Sequence, residues 1–346
     1  MDEDHVESMT GLNAPIPLFA TQSDAQARAL QDESSIHVAA EEDEQFSLMM
    51  EQIPALEEQG NYEEMLHMAK QASRLYPASA LALAYQARAL QKLQRISEAT
   101  IANDQALLLD SGLPLAWLNR SGLQILQERF QDALRSAERA VALAPEDARA
   151  WANKGMALLN LEYLSEALAA FDTSLTHDPD FLFALQMKGE TLRRLRRMKE
   201  LIPIARHALA IAPDDPHALT LAIQAFSAVE DYAALPPLTE KLAQLMPDSQ
   251  FAWDSHMRAL RSTGRFAEAR QAIERVLEFE PENVYYLTIK ADTLYRLEDY
   301  RQAAATAQLA LRLDSSYAPA RRIHEKAVRL MYQRKEKRSR PSPGGL

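Results

Sequence analysis

Cysteine is absent from this 346-residue chain, and glycine occurs only nine times. Without cysteine there are no disulfides, thiolate metal sites or cysteine nucleophiles, a composition that suits a reducing cytoplasm. The scarcity of glycine argues against a turn-rich β protein. No apolar run approaches the roughly 20 residues that a membrane span needs. The chain opens Met1-Asp2-Glu3-Asp4, acidic where a secretory leader is basic and then apolar. The expectation is a cytoplasmic protein with no membrane partner.

Basic residues are also in deficit, with 38 Lys and Arg against 49 Asp and Glu, a net charge of −11. Residues 1–45 hold eleven acids against Arg28 alone, a charge of −10, whereas 333–346 carry +4. The body is therefore mildly acidic, at −5. Nucleic-acid binding relies on many phosphate contacts from Lys and Arg, so this balance disfavours it.

What the chain does have is apolar residues, 47% of the total, and an internal period. Prolines stand at 145, 179, 213, 247 and 281, each 34 residues from the next, and the register extends back through Ser111 to Pro77 and on to Ser315. Eight repeats follow: 46–79, 80–113, 114–147, 148–181, 182–215, 216–249, 250–283 and 284–317, the marker sitting at position 32 of each. Position 8 is small in five repeats, including Gly155 and Gly189, and position 20 is Ala in five, including Ala167. Position 17 is large and apolar throughout, from Tyr62 to Tyr300, and position 4 is Trp117, Trp151 or Trp253, otherwise Leu or Met. Apolar positions recur at three- and four-residue spacing, which marks helices. Two helices in a hairpin approach closely only where side chains are small, and positions 8 and 20 supply that contact.

Helix-end chemistry agrees. Position 34 offers N-caps in Ser79, Asp147, Asp215, Ser249 and Asn283. Position 19 is acidic in Glu64, Glu98, Asp132, Glu166, Glu200 and Glu268, near the positive end of a second helix.

This pattern resembles the tetratricopeptide repeat family. Repeat 148–181 carries its signature in Trp151, Gly155, Leu158, Ala167, Phe171 and Pro179. The resemblance covers 46–317 and implies an all-α fold, an α-solenoid wound as a right-handed superhelix of helix-turn-helix repeats. Residues 318–332, with Ala320, Ile323, Ala327, Leu330 and Met331 on one face, read as a helix capping the last repeat. Residues 1–45 read as a disordered acidic arm and 333–346 as a disordered basic tail. An apolar island at 12–20 within the arm reads as either a linker or a docking motif.

Three prolines break the pattern. Pro203 and Pro237 hold position 22 of repeats five and six, and Leu201 and Leu235 replace the small residue at position 20. Interior proline removes a helical hydrogen bond, so both second helices are expected to start late, near 203 and 237. Pro54 in the first helix of repeat one points to fraying there.

Searching for chemistry yields no phosphate loop, nucleophile elbow or His-Glu-x-x-His pair. The histidines are scattered, so no catalytic residue, metal or cofactor is expected and the chain does not read as an enzyme. The family resemblance implies that positions 2, 5, 6, 9, 12 and 13 of the first helices line a partner groove. Asn119 and Asn153 at position 6 are candidates for bonding a peptide backbone. Arg193 and Arg194 in repeat five, with Arg258 and Arg261 in repeat seven, either complement helix ends or receive an acidic partner. The family's carboxylate clamp needs a base at position 5 and Asn at position 9 of one repeat; no repeat has both. The function expected is a protein or peptide scaffold or adaptor, as assembly factor or co-chaperone. The alternatives are a regulatory or substrate-recruiting subunit of an enzyme and an RNA-binding helical-repeat protein. The sequence leaves the oligomeric state open.

Overall fold

The computed structural model describes residues 43–339, with side chains described for 43–333. Among the described residues every regular element is helical. The helices are α1 (43–58), α2 (Tyr62–Leu75), α3 (Ala80–Lys92), α4 (Ile96–Leu109), α5 (Pro114–Leu126) and α6 (Phe130–Leu143). They continue as α7 (Ala148–Asn160), α8 (Leu164–His177), α9 (Leu182–Arg194), α10 (Met198–Ile211) and α11 (Pro216–Ala228). A 3-10 turn (Tyr232–Ala234) leads into α12 (Leu235–Leu245). The last are α13 (Gln250–Ser262), α14 (Phe266–Phe279), α15 (Val284–Arg296), α16 (Tyr300–Leu313) and α17 (Ala318–Ser339). From α3 on, odd-numbered helices begin at 34-residue intervals, at 80, 114, 148, 182, 216, 250, 284 and 318. The chain divides into two compact units, Met1–Asn119 and Arg120–Leu346. Each is a stack of helical hairpins, the α-solenoid class.

Local chemistry explains the ends. Ser79, Asp147, Asp215, Ser249 and Asn283 each accept a backbone N–H from the first turn of the helix that follows. First helices end on a left-handed residue at position 15: Gln94, Glu128, Glu162, Arg196, Glu230 and Glu298, with glycine only at Gly60 and Gly264. In each case the next N–H bonds back to the carbonyl of position 11, as Tyr163 does to Leu158 at 2.9 Å. A second tie uses the tryptophans. The indoles of Trp117, Trp151 and Trp253 donate to the carbonyls of Ser111, Pro145 and Pro247, each at 2.8 Å. The position 32 marker thus receives the position 4 side chain of the following repeat. The position 19 acids gain a partner besides the helix dipole. Glu98, Asp132, Glu200 and Glu268 each bind the arginine three residues earlier.

The core is small-residue rich. In α7 a Cβ on Gly155 would stand 2.7 Å from the ring of Phe171, which is fully buried in α8. In α9 a Cβ on Gly189 would meet Leu221 at 2.8 Å and Leu201 at 3.1 Å. Gly189 therefore makes room for the leucine that replaces alanine at position 20.

The expected late start in repeat five does not occur: α10 runs unbroken from Met198 with Pro203 inside it. Pro203 lies on the exposed side, opposite buried Leu201, Ala205 and Ala208. The lost hydrogen bond falls on the carbonyl of Lys199, also an exposed residue, where water can replace it. Repeat six does start late, at Leu235. There Pro236 and Pro237 remove two consecutive donors, and a 3-10 turn takes the preceding residues. Nor does α1 break at Pro54; it is helical across 43–58 with Ile53 buried. At the other end α17 buries Ala320 and Ala327 against α15 and α16 and continues to Ser339, seven residues past the expected end at 332. The apolar island at 12–20 lies outside the described residues.

Candidate functional site

The sequence candidates all lie on first helices, and each is engaged within the chain. Asn119 is fully buried, and its amide donates to the carbonyl of Ala84 in α3 at 2.8 Å. It therefore ties neighbouring first helices together and is closed to a ligand as placed. Asn153 is half-buried and donates to Ser121 Oγ at 2.8 Å. Arg193 forms a two-pronged pair with Glu190 at 2.6 and 2.7 Å. Arg194 reaches Glu190 at 3.1 Å and Glu162 at 3.0 Å. The Arg193 hydrogen bond holds the Glu190 carboxyl below the usual carboxylate range, against the effect of burial.

The repeat-seven pair behaves similarly. Arg258 pairs with Asp254 at 2.7 Å on its own helix and stays largely exposed. Arg261 crosses to Asp292 of α15 at 2.6 Å. Burial pulls the Arg261 pKa down, and Asp292 opposes it. The first compact unit shows the same kind of cross-link with its polarity reversed, where Arg88 of α3 meets Glu57 of α1 at 2.7 Å. These pairs register successive first helices. The positive charge that suggested an anion-accepting stretch is thus largely balanced on the spot.

A different set of side chains faces outward. Large apolar residues at position 2 remain well exposed: Leu81 in the first compact unit, and Phe183, Phe251 and Tyr285 in the second. Phe183, Phe251 and Tyr285 are 37%, 46% and 40% exposed, and the intervening repeat places exposed His217 there. Two of the rings are steadied by a neighbour, Phe183 by Phe181 at 6.0 Å and Tyr285 by Tyr286 at 5.3 Å between centroids. This row is absent from the residues singled out by sequence reasoning. Its signal was present, since the rings share one position of the 34-residue register.

Among the described residues no group of three His, Asp or Glu side chains could hold a metal ion, and no helix is long and apolar enough to cross a membrane.

Helical hairpins in this register, with these caps and small-residue contacts, define a helical-repeat solenoid. The Tetratricopeptide repeat family matches residues 127–180 and 256–318, so these two segments of the second compact unit are tetratricopeptide-type repeats. Among solved structures it is similar to pilF of Pseudomonas aeruginosa, at 21% identity over 63% of this chain and 97% of that one, with a TM-score of 0.54. It is also similar to the APC/C hetero-tetramer Cut9-Hcn1, at 12% identity over 77% of this chain and 52% of that one, TM-score 0.49. A third is YrrB, a TPR protein with an unusual peptide-binding site, at 19% identity over 54% and 96%, TM-score 0.43. Such distant likeness speaks to the fold alone. No curated protein matches the chain.

Proposed function

We propose that this protein is a non-catalytic docking scaffold that holds an extended segment of another protein against the first helices of its second compact unit. The observation that carries the reading is the row of rings at position 2. Large aromatic side chains are normally placed to bury area, and single exposed ones mean little. Here the same register position of α9, α13 and α15 presents a ring to solvent while the neighbouring apolar residues Leu185, Ala252 and Leu287 of those helices are buried. A recurrent exposed position on an otherwise packed helix suits a partner that runs across the stack.

The reading includes work as an assembly factor or co-chaperone in the cytoplasm. Arg258, the most exposed of the four groove arginines, belongs to the proposed surface. Arg261 supports it by fixing α13 to α15 through Asp292.

The test is affinity capture with mass spectrometry, comparing wild type with Phe251→Ala/Tyr285→Ala and with Leu108→Ala, an exposed leucine on the second helix α4. Capture should lose at least one abundant protein with the double variant and keep it with the control. Capture profiles that do not differ would remove the first-helix surface from the account.

A further inference from the structure

The exposed rings do not stand alone. Three residues before each, at position 33, stands an exposed acid. Asp180 precedes Phe183, Asp214 precedes His217, Asp248 precedes Phe251 and Glu282 precedes Tyr285. In α9, α11, α13 and α15 the acid lies just before the N-cap and the ring is the second helical residue. Both therefore belong to the same end of each first helix. An acid before a helix complements the helix dipole, which accounts for one such residue at a time. It does not account for the rings beside them.

The ionic partners are uneven. Asp180 meets His207 at 2.9 Å and Asp214 meets Lys241 at 2.5 Å, yet their side chains stay 75% and 74% exposed. Asp248 and Glu282 form no ion pair among the described residues. By contrast, the first-helix arginines Arg193, Arg194, Arg258 and Arg261 are each held by a carboxylate. The charge left to an incoming chain along this edge is negative.

Resting on the scaffold reading above, we infer that the occupant of this edge is a basic segment of another protein, extended across α9 to α15, with arginine or lysine side chains. Each repeat then offers one cation a carboxylate and a ring face together. Guanidinium and ammonium groups are attracted to both, to the carboxylate by charge and to the ring by its negative face. The chain already uses this contact internally: Arg275 lies 5.5 Å from the Trp253 ring and Lys154 lies 5.4 Å from Trp151. First helices that touch stand about 10 Å apart. An extended chain covers that step in about three residues. Basic side chains spaced at about three residues would keep pace with the repeats. The acidic partner suggested by the arginine-rich stretch of sequence is the opposite case.

A random dodecapeptide library displayed on phage and selected on the full-length protein tests this without presupposing a ligand. Selected peptides should be enriched in Arg and Lys and depleted in Asp and Glu. Their affinity should fall about tenfold or more for Asp248→Lys/Glu282→Lys, substitutions at exposed positions whose fold is checked by thermal melting. Leu108→Ala, an exposed position on the second helix α4 and outside the proposed surface, should not weaken them. Acidic or uncharged selectants that are lost with Phe251→Ala/Tyr285→Ala would overturn the inference and leave the scaffold reading in place. Basic selectants that bind Asp248→Lys/Glu282→Lys as well as wild type would also overturn it. A library that enriches no peptide removes the scaffold reading and the inference together. Sedimentation of the protein alone provides the remaining outcome. A dimer that dissolves in the charge variant would name a second copy as the occupant and overturn the assignment to another protein.

Discussion

The hairpin α7–α8 and the hairpin α11–α12 share a frame and fill it differently. Both first helices are thirteen residues long, both are capped by an aspartate (Asp147, Asp215), and both end on a left-handed glutamate (Glu162, Glu230). Inside, positions 8, 20 and 24 are Gly155, Ala167 and Phe171 in the one and Ile223, Leu235 and Thr239 in the other, with all six buried. The bulk that one hairpin keeps at position 24 the other keeps at positions 8 and 20. Thr239 has room to turn its hydroxyl to the Leu235 carbonyl at 3.0 Å and to face His256 Nδ1 at 3.1 Å. The second helix of that hairpin begins three residues later, through the 3-10 turn. The ends of a repeat are thus set by the backbone's need for caps, while its interior tolerates any division of volume that fills the gap.

The largest effects should come from breaking that division. Phe171→Ala should cost about 3–5 kcal/mol in chemical denaturation. Gly155→Ala forces a Cβ into a ring fixed on all sides and should cost about 1–3 kcal/mol. Gly189→Ala should cost less, because its Cβ would meet the ends of two leucine side chains. Gly155→Ile alone should be severe, and adding Phe171→Thr should recover part of the loss; strictly additive costs would contradict the shared-volume account.

Proline comes next. Pro203→Ala returns an N–H to the Lys199 carbonyl inside a regular helix, and should stabilise by about 1–3 kcal/mol. Pro237→Ala acts in the first turn, where the N–H has no helical partner, and should stay within about 0.5 kcal/mol of wild type. Equal melting-temperature shifts for the two would break the distinction drawn between α10 and α12.

The caps should respond alike in both hairpins. Glu162→Gly and Glu230→Gly each relieve a left-handed residue, at the expense of a more flexible unfolded chain. Each should stabilise by about 0.5–1 kcal/mol, and Gly264→Glu should destabilise by a similar amount. The smallest effect concerns pH. Burial lowers the His256 pKa below its ordinary value near 6.5. The folded protein therefore favours the neutral ring. Its stabilising share is present above the unfolded value and is lost as pH falls from about 6.5 through the folded pKa. His256→Asn should flatten the stability profile between about pH 7 and 5; an unchanged profile would assign the slope to other groups.

Much of this was legible in the sequence. The period, the N-caps and the small residues of repeat four follow from residue type and spacing alone. The left-handed residue at position 15 was hidden, because six repeats place Gln, Glu or Arg there instead of glycine. Pro203 misled because the rule about interior proline says nothing of which face it occupies. The ion pairs of the arginines were hidden for a related reason. Their carboxylate partners Glu190, Glu162 and Asp292 lie three, 32 and 31 residues away, and only the fold brings the last two close. The ring row was visible once the register was known, but burial was needed to separate exposed Phe183 from half-buried Phe181.

The most direct measurement is hydrogen exchange of the full-length protein with and without a captured partner or selected peptide. The account predicts new protection in the first turns of α9, α11, α13 and α15, with α10, α14 and α16 unchanged. Protection confined to the second helices, or to α17, would contradict it.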